Sequence, residues 1–171
     1  FYPRAVKERN LEGLRRNRAF RFLEGDLTDP HDISAVLDAA GRVDAVVHLA
    51  ALAGVRPSIK NPQRYWTVNL TGTLHLFSLC RSRGIVRFVF ASSSSVYGKE
   101  SQLPFSEREC CSRPLSPYAA TKRAGELLAF NEHHLNGSSI TCLRFFTVYG
   151  PRQRPDLAET LTSIATDYAR L

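Results

Sequence analysis

Apolar residues recur along this chain with two different periods, and the two alternate. Val43-Asp44-Ala45-Val46-Val47-His48-Leu49 and Val86-Arg87-Phe88-Val89-Phe90-Ala91 are short, rich in β-branched and aromatic residues, and almost unbroken by polar ones. Such runs predict strands covered on both faces. Arg21 to Gly25 and Ile140 to Phe145 read as two further strands. Between them the spacing turns helical. Thr28-Asp29-Pro30 supplies a capping side chain before a first-turn proline, and Ile33, Val36 and Leu37 form the stripe of a helix ending near Gly41. Asn61-Pro62 opens a long helix over 61–83, carrying Val68, Leu70, Leu74, Leu76 and Phe77, with Gly84 at its end. A loop rich in Ser and Pro runs from Ser92 to Pro114, a helix spans 116–135, and Leu157 to Leu171 is again helical in spacing.

Strands alternating with helices predict an α/β fold, a Rossmann-type doubly wound parallel sheet with right-handed crossovers. No repeat or linker interrupts 1–171, so a single domain, or part of one, is expected. In such sheets ligands gather at the carboxyl ends of the strands. Those ends carry Gly25-Asp26, His48 to Ala51, Ser92 to Ser95, and Phe146-Thr147, which are expected to line one cleft.

The helix opening at "SPYAATKRAGE", residues 116–126, carries the chemistry. Tyr118 and Lys122 are one turn apart and share a face, which Gly125 and Ala129 continue. Ala124, Leu127, Leu128 and Leu135 read as the buried stripe, so the Tyr/Lys face is expected to stand clear of the core with room for another body. A lysine ammonium beside a phenol favours the phenolate, and such a tyrosine can serve as a general base on a hydroxyl. Ala91-Ser92-Ser93-Ser94-Ser95-Val96-Tyr97-Gly98 ends a strand in hydroxyls, ready donors for a substrate oxygen.

Composition narrows the alternatives. With 171 residues and 43% hydrophobic content, one globular domain can bury a sizeable core. The net charge of +7 is spread along the chain, with a modest cluster from Arg4 to Arg21 and no aromatic–basic platform for nucleic acid. No apolar run reaches membrane-spanning length. The four cysteines form no C-x-x-C pair, and adjacent Cys110 and Cys111 suit an ordinary disulfide poorly. Reduced thiols and a cytoplasmic location are expected, with a membrane anchor outside this stretch left open. His133 and His134 point different ways on a helix, so no metal site is expected.

Together the motifs resemble an extended short-chain dehydrogenase/reductase of the nucleotide-sugar epimerase/dehydratase group. The resemblance runs through "GDLTD" at 25–29, "VVHLAALAGVRPS" at 46–58, "NPQRYWTVNLTGT" at 61–73, "FASSSSVYG" at 90–98, "SPYAATKRAGE" at 116–126 and "LRFFTVYGPRQRPD" at 143–156. Within the group, "AGVRPS", "SSSSVYG" and "RFFTVYGPRQRPD" look most like the UDP-glucuronate 4-epimerases.

The resemblance implies roles for particular residues. Tyr118, Lys122 and Ser93 take the catalytic positions, with Ser94 and Ser95 as alternatives for the serine and as substrate contacts. NAD is the implied cofactor, held by Asp26 and Leu27 at the adenine, by Leu49, Ala50 and Ala51 along the ribose and diphosphate, and by Asn69, Tyr118, Lys122 and Phe145. Residue by residue these remain open to plainer readings, Asn69 as a structural hydrogen bond among them. In the implied reaction Tyr118 takes the proton of the sugar 4-hydroxyl, hydride leaves C4 for tightly bound NAD, and a 4-keto sugar turns over before hydride returns to its other face. A UDP-sugar is the implied substrate. Its uronic carboxylate would be held by an arginine fork, with Arg56, Arg152 and Arg154 as candidates beside Thr147. A homodimer through helices 61–83 and 116–135 is also implied.

Some features depart from the group's pattern. The glycine-rich turn after a first strand and a C-terminal substrate lobe are missing from the stretch, which starts at Phe1 without a methionine. A piece of a longer protein, itself a poor binder of NAD and inactive, is therefore expected. Arg123 and Gly125 replace residues of the commoner K-K-A-N-E, a change expected to lie on the surface side. Alternatives are a UDP-glucose or UDP-N-acetylglucosamine 4-epimerase, a related dehydratase or decarboxylase, and a non-catalytic relative. Ser94-Ser95 argues against the dehydratase, whose group places acidic residues there.

Overall fold

A computed structural model describes residues 3–99, 101–148 and 150–152. The chain divides into two compact units, residues 1–23 with 147–171, and residues 24–146. The first contains α1, Arg4–Arg15, which buries none of its residues. Its apolar residues are only Ala5, Val6, Leu11 and Leu14, too few among the charged ones for the sequence pattern to have predicted it. Beyond it, the Arg15 guanidinium lies 5.6 Å from the centre of the Phe22 ring. The expected helix over 157–171 and Arg154 lie outside the described residues.

The second unit holds α2 (Pro30–Ala40), β1 (Val46–His48), α3 (Val55–Lys60), α4 (Pro62–Tyr65), a π-helical segment (Trp66–Thr71), α5 (Gly72–Ser82), β2 (Arg87–Ser93), a 3-10 turn (Ser94–Tyr97), α6 (Pro117–Asn136) and β3 (Ser139–Phe145). The strands form one parallel sheet in the order β1-β2-β3. Its register sets Val46 beside Phe88, His48 beside Phe90, and Ser93 beside Phe145. An α/β fold with a parallel sheet is thus present.

Local chemistry explains the element ends. The Asp29 side chain accepts from the His31 amide and Pro30 opens α2, as the capping pattern requires. Ser116 accepts from the Ala119 amide at the start of α6, and Gly137, at φ 69°, closes it in the left-handed conformation.

The core lies between the sheet and α2, α5 and α6. Ile33, Leu37, Leu76, Phe77, Cys80, Ile85, Phe88 and Ala129 form one buried cluster. Phe77 meets Phe88 edge to face at 5.1 Å. Side chains of this size contribute about 1.5–3 kcal/mol each when fully buried.

Four expectations need correction. Arg21 to Gly25 form no strand, having no ladder partner among the described residues; Phe22 and Leu23 are exposed. β1 is only three residues long and is covered on one face: Val47 and Leu49 are exposed while His48 is buried, because pleating turns them away from the helices that make the core. The helix expected over 61–83 runs unbroken from Pro62 to Ser82, and the correction lies in its middle: Trp66–Thr71 is π-helical, flanked by α4 and α5, since a hydrophobic period does not report a change in hydrogen-bond span. α3, over residues 55–60, is an additional short helix.

The fourth correction concerns α6. Its buried residues are Ala119, Thr121, Lys122, Gly125, Glu126, Ala129 and Glu132, whereas Leu127 and Leu135 are exposed. The Tyr/Lys stripe therefore faces the sheet instead of standing clear of the core. Gly125 is small because a Cβ there would fall 2.9 Å from Cε1 of Phe90 and closer still to Cζ. The departures at Arg123 and Gly125 are accordingly not on a surface side. No described helix is long and apolar enough to cross a membrane.

Candidate active site

The site begins where β2 ends. Ser92 and Ser93 are still strand residues, so pleating aims their side chains in opposite directions. Ser92 points to the helices and donates to Glu126 at 2.6 Å. Ser93 caps the 3-10 turn: its Oγ accepts from the Ser95 amide at 3.2 Å and donates to Ser95 Oγ at the same distance. Ser94 and Ser95 are partly exposed on that turn.

α6 lies against β2, and its Lys122 donates from Nζ to the Ala91 carbonyl at 2.7 Å, two residues before Ser93. The ammonium also lies 5.3 Å from the centre of the Phe90 ring. Lys122 is 5% exposed and forms no ion pair with a described carboxylate. Burial pulls its pKa down to about 8. Tyr118, one turn earlier and half-buried, meets the Tyr65 ring edge-on at 6.3 Å. Tyr65 in turn donates to the Ala53 carbonyl at 2.7 Å, and burial raises its own pKa.

Asn69 sits in the π-helical segment and is 2% exposed. Its Oδ1 accepts from the Leu52 amide at 2.7 Å, and its Nδ2 donates to the Leu52 carbonyl at 3.0 Å and to Thr121 Oγ1 at 3.1 Å. Thr121 donates onward to the Tyr118 carbonyl at 2.8 Å. Asn69 thereby ties the loop after β1 to the turn of α6 that bears Tyr118. His48 is buried, with Nε2 2.9 Å from Thr73 Oγ1. Desolvation, helped by the charge of Lys122, lowers its pKa to about 4 and keeps the ring neutral.

A cavity of about 590 Å³ brings together Gly25, Asp26, Leu27, Ala50, Ala51, Leu52, Arg64 and Val68. The Asp26 carboxylate accepts from the Thr28 amide at 2.8 Å and hydroxyl at 2.7 Å, and these bonds lower its pKa. Leu27 approaches α5 closely where Gly72 leaves space: a Cβ there would lie 3.0 Å from Leu27 Cγ. Leu49 is exposed beside the cavity's Ala50. Phe145 lines a separate cavity of about 460 Å³ with Tyr97, Glu126 and Arg144. Arg56 is exposed on α3. Thr147 and Arg152 belong to the other unit, where Arg152 donates to the Asn10 carbonyl at 3.4 Å.

The profile of the NAD dependent epimerase/dehydratase family matches residues 3–170. The chain belongs to this family.

Among the relatives of this epimerase/dehydratase chain is a UDP-glucuronate 4-epimerase of Thermodesulfobacterium geofontis, 43% identical over 157 residues, covering 92% of this chain and 48% of that protein. The solved UDP-glucuronic acid 4-epimerase of Bacillus cereus, in complex with UDP-glucuronic acid and NAD, is 41% identical with a TM-score of 0.80, over 90% of this chain and 48% of that one. A Streptomyces venezuelae dTDP-glucose 4,6-dehydratase with NAD bound superposes with a TM-score of 0.81 at 30% identity, over 94% and 49%. The chain thus spans about half the length of these proteins.

Four residues bonded or packed around these groups escaped the sequence reading: Tyr65, Thr121, Glu126 and Arg144. Glu126 was within reach of it, because Tyr118, Lys122 and Glu126 recur every four residues along one face of α6. Arg144 gave no such signal, since it reaches Glu126 only through the packing of β3 beside α6.

Proposed function

We propose that the full-length protein is a nucleotide-sugar 4-epimerase that interconverts UDP-glucuronate and UDP-galacturonate with tightly held NAD. The observation that carries this reading is Lys122: a buried amine bonded to the backbone beside Ser93, on the same helical face as Tyr118. A buried ammonium without a carboxylate partner is costly, and hydroxyl oxygens of a sugar or a ribose suit its remaining N–H groups. The small side chains of Ala50 and Ala51 at the end of β1, facing Asp26 across one cavity, suit a flat dinucleotide close to the backbone. The residues present therefore fit the cofactor.

Asp26, Leu27 and the Leu49 to Ala51 segment would hold the adenosine side of NAD, with Lys122 at the nicotinamide ribose and Phe145 at a more distant position. Asn69 contributes by fixing Leu52 and, through Thr121, the first turn of α6. Bound NAD supplies an acceptor and donor of hydride at the sugar carbon. Tyr118 Oη takes the proton of the sugar hydroxyl and later returns it. Lys122 supplies the positive charge one turn away, and Ser93 hydrogen-bonds the reacting oxygen, its own position set by the Ser95 amide. Ser94 and Ser95 are offered as further sugar contacts, and Arg56, Thr147 and Arg154 as carboxylate contacts.

The choice of uronic sugar is supported by the two UDP-glucuronate epimerases named above, 43% and 41% identical over 92% and 90% of this chain. We read 1–171 as part of one nucleotide-binding domain working in a reducing compartment such as the cytoplasm, which suits four free thiols. A homodimer is supported by the apolar side chains left in solvent on α5 and α6, Leu74, Leu127, Phe130 and Leu135 among them.

The test is full-length protein incubated with UDP-glucuronate, UDP-glucose and UDP-N-acetylglucosamine in turn. UDP-galacturonate should form from the first, and Tyr118→Phe should reduce that rate at least about a hundredfold. Retention of most activity in Tyr118→Phe would refute the mechanism, and turnover of only the neutral sugars would refute the substrate.

A further inference from the structure

Glu126 ends the motif that opens α6, one turn beyond Lys122, and is 7% exposed. Its carboxylate accepts four hydrogen bonds from three elements. Arg144 on β3 forks onto it, Nε to Oε1 at 2.9 Å and Nη2 to Oε2 at 3.0 Å. Ser92 on β2 donates to Oε1 at 2.6 Å. Arg123 on α6 itself donates to Oε2 at 2.8 Å. Burial alone would raise the carboxyl's pKa, but the bonds from Arg144, Ser92 and Arg123 outweigh it and hold the group ionised.

Arg144 is itself fixed from both sides. Its guanidinium lies 4.9 Å from the centre of the Tyr97 ring, at the far end of the turn that Ser93 caps. Ser92 immediately precedes Ser93, and Arg144 immediately precedes Phe145. One carboxylate thus spans the carboxyl ends of two neighbouring strands and the helix that carries Tyr118 and Lys122. Around Lys122, the facing groups are the Ala91 carbonyl and Phe90 ring of β2 and neutral His48 of β1. None of these pins α6 to β3.

We propose that Glu126 is a positioning residue for the epimerisation: it clamps β2 and β3 onto α6 and so fixes Lys122 and Tyr118 relative to Ser93. It acts through Ser92, Arg144 and Arg123, without touching the sugar or the cofactor. The inference rests on the site reading given above. Displacements of about 1 Å among catalytic groups can cost about a hundredfold in rate, and that is the scale on which such a clamp matters.

Charge and position predict opposite signs at Lys122, which makes the role measurable. Removing a nearby negative charge, by itself, lowers the pKa of an ammonium; letting water reach a buried ammonium raises it. In the full-length protein, Glu126→Gln is expected to lower kcat by about tenfold to a hundredfold with KM changed less than about threefold. The titration midpoint of Lys122, followed by NMR of 13C-labelled lysine and assigned by loss of the signal in Lys122→Arg, should rise from about 8 toward the ordinary lysine value. An unchanged or lowered midpoint, or an unchanged kcat, overturns the proposal. Should Glu126→Gln not fold, Ser92→Ala and Arg144→Lys each weaken one arm of the clamp; both changes should move kcat and the midpoint in the same directions, and wild-type values in both overturn it. A wild-type protein that turns over no UDP-glucuronate would defeat the assigned reaction, and the Lys122 midpoint alone would then decide the clamp.

Discussion

Gly125 of α6 stands against the ring of Phe90 on β2, so close that a Cβ at 125 would lie 2.9 Å from Cε1 and closer still to Cζ. That contact sets how near α6 can come to the sheet, and therefore whether the Lys122 amine reaches the Ala91 carbonyl. Gly125→Ala should destabilise the protein by about 1–3 kcal/mol through overpacking. In a Phe90→Leu background the same change should be neutral or stabilising, since alanine is favoured over glycine in a helix by about 1 kcal/mol. Urea unfolding of the two single variants and the double variant checks this; additive effects would show that the ring and the glycine are not coupled.

Asn69 is expected to be sensitive for a different reason. Its side chain satisfies the Leu52 amide, the Leu52 carbonyl and Thr121. Asn69→Ala leaves these partners without it and should cost about 2–3 kcal/mol. If the loop after β1 holds the cofactor, retention of NAD through gel filtration should fall in parallel. A variant with wild-type melting temperature would show that water replaces the amide.

Lys122 is expected to set an alkaline limit on the proposed activity. Its pKa, drawn down to about 8 by burial, means that the ammonium is lost as pH rises through that value. The rate should therefore decline above about pH 8, and Lys122→Arg should remove that limb while lowering the rate throughout. Stability runs the other way: the unfolded amine keeps its proton up to about 10.5, so the fold gains stability between the two values. A rate profile flat to pH 10 would contradict the assignment.

His48 sets an acid limit on stability. The unfolded chain takes up this proton near 6.5, but the buried ring resists protonation until about 4. Stability is present above 6.5 and is lost as pH falls through that interval, by up to about 3 kcal/mol. Glu126, whose carboxyl is held below its usual 4.5, adds a further loss that begins only at the acid end of this window. Thermal melting between pH 7 and 4 should show the decline, and His48→Gln should flatten it; an equal slope in both proteins would locate the effect elsewhere.

Phe130 is 62% exposed on α6, stacked on His134 at 6.1 Å, with Leu127 and Leu135 also in solvent. If a second copy covers this face, Phe130→Glu in the full-length protein should shift sedimentation from dimer to monomer while the melting temperature changes little beyond the lost association. A monomeric wild type would dispose of the dimer.

The α/β class, the ends of α2 and α6, and the shared face of Tyr118 and Lys122 were legible because each depends on neighbours in sequence. Asp29 caps α2 and Ser116 caps α6 by bonds spanning two or three residues, and Tyr118 and Lys122 share a face by helical arithmetic alone. The extra span at Trp66–Thr71 was hidden: that segment seats Asn69 against Leu52, 17 residues away in sequence, a contact that local spacing does not report. The burial of α6 was misread because Leu127 and Leu135 were counted as core along with Leu128, which does pack on it, although a helix pressed onto a sheet beside an aromatic ring needs glycine and alanine at the contact.

The sequence by itself determined which side chains could do chemistry here: a phenol, an amine one turn on, and hydroxyls closing a strand. Only the tertiary structure decided where that face lies, buried against β2, with Leu127, Phe130 and Leu135 left outside. It also decided that Glu126 joins Ser92, Arg123 and Arg144. The physical reason is that helical periodicity fixes which residues share a face but carries no information about what that face meets. That depends on the close approach of chain segments far apart in sequence, here Phe90 against Gly125 and Arg144 against Glu126.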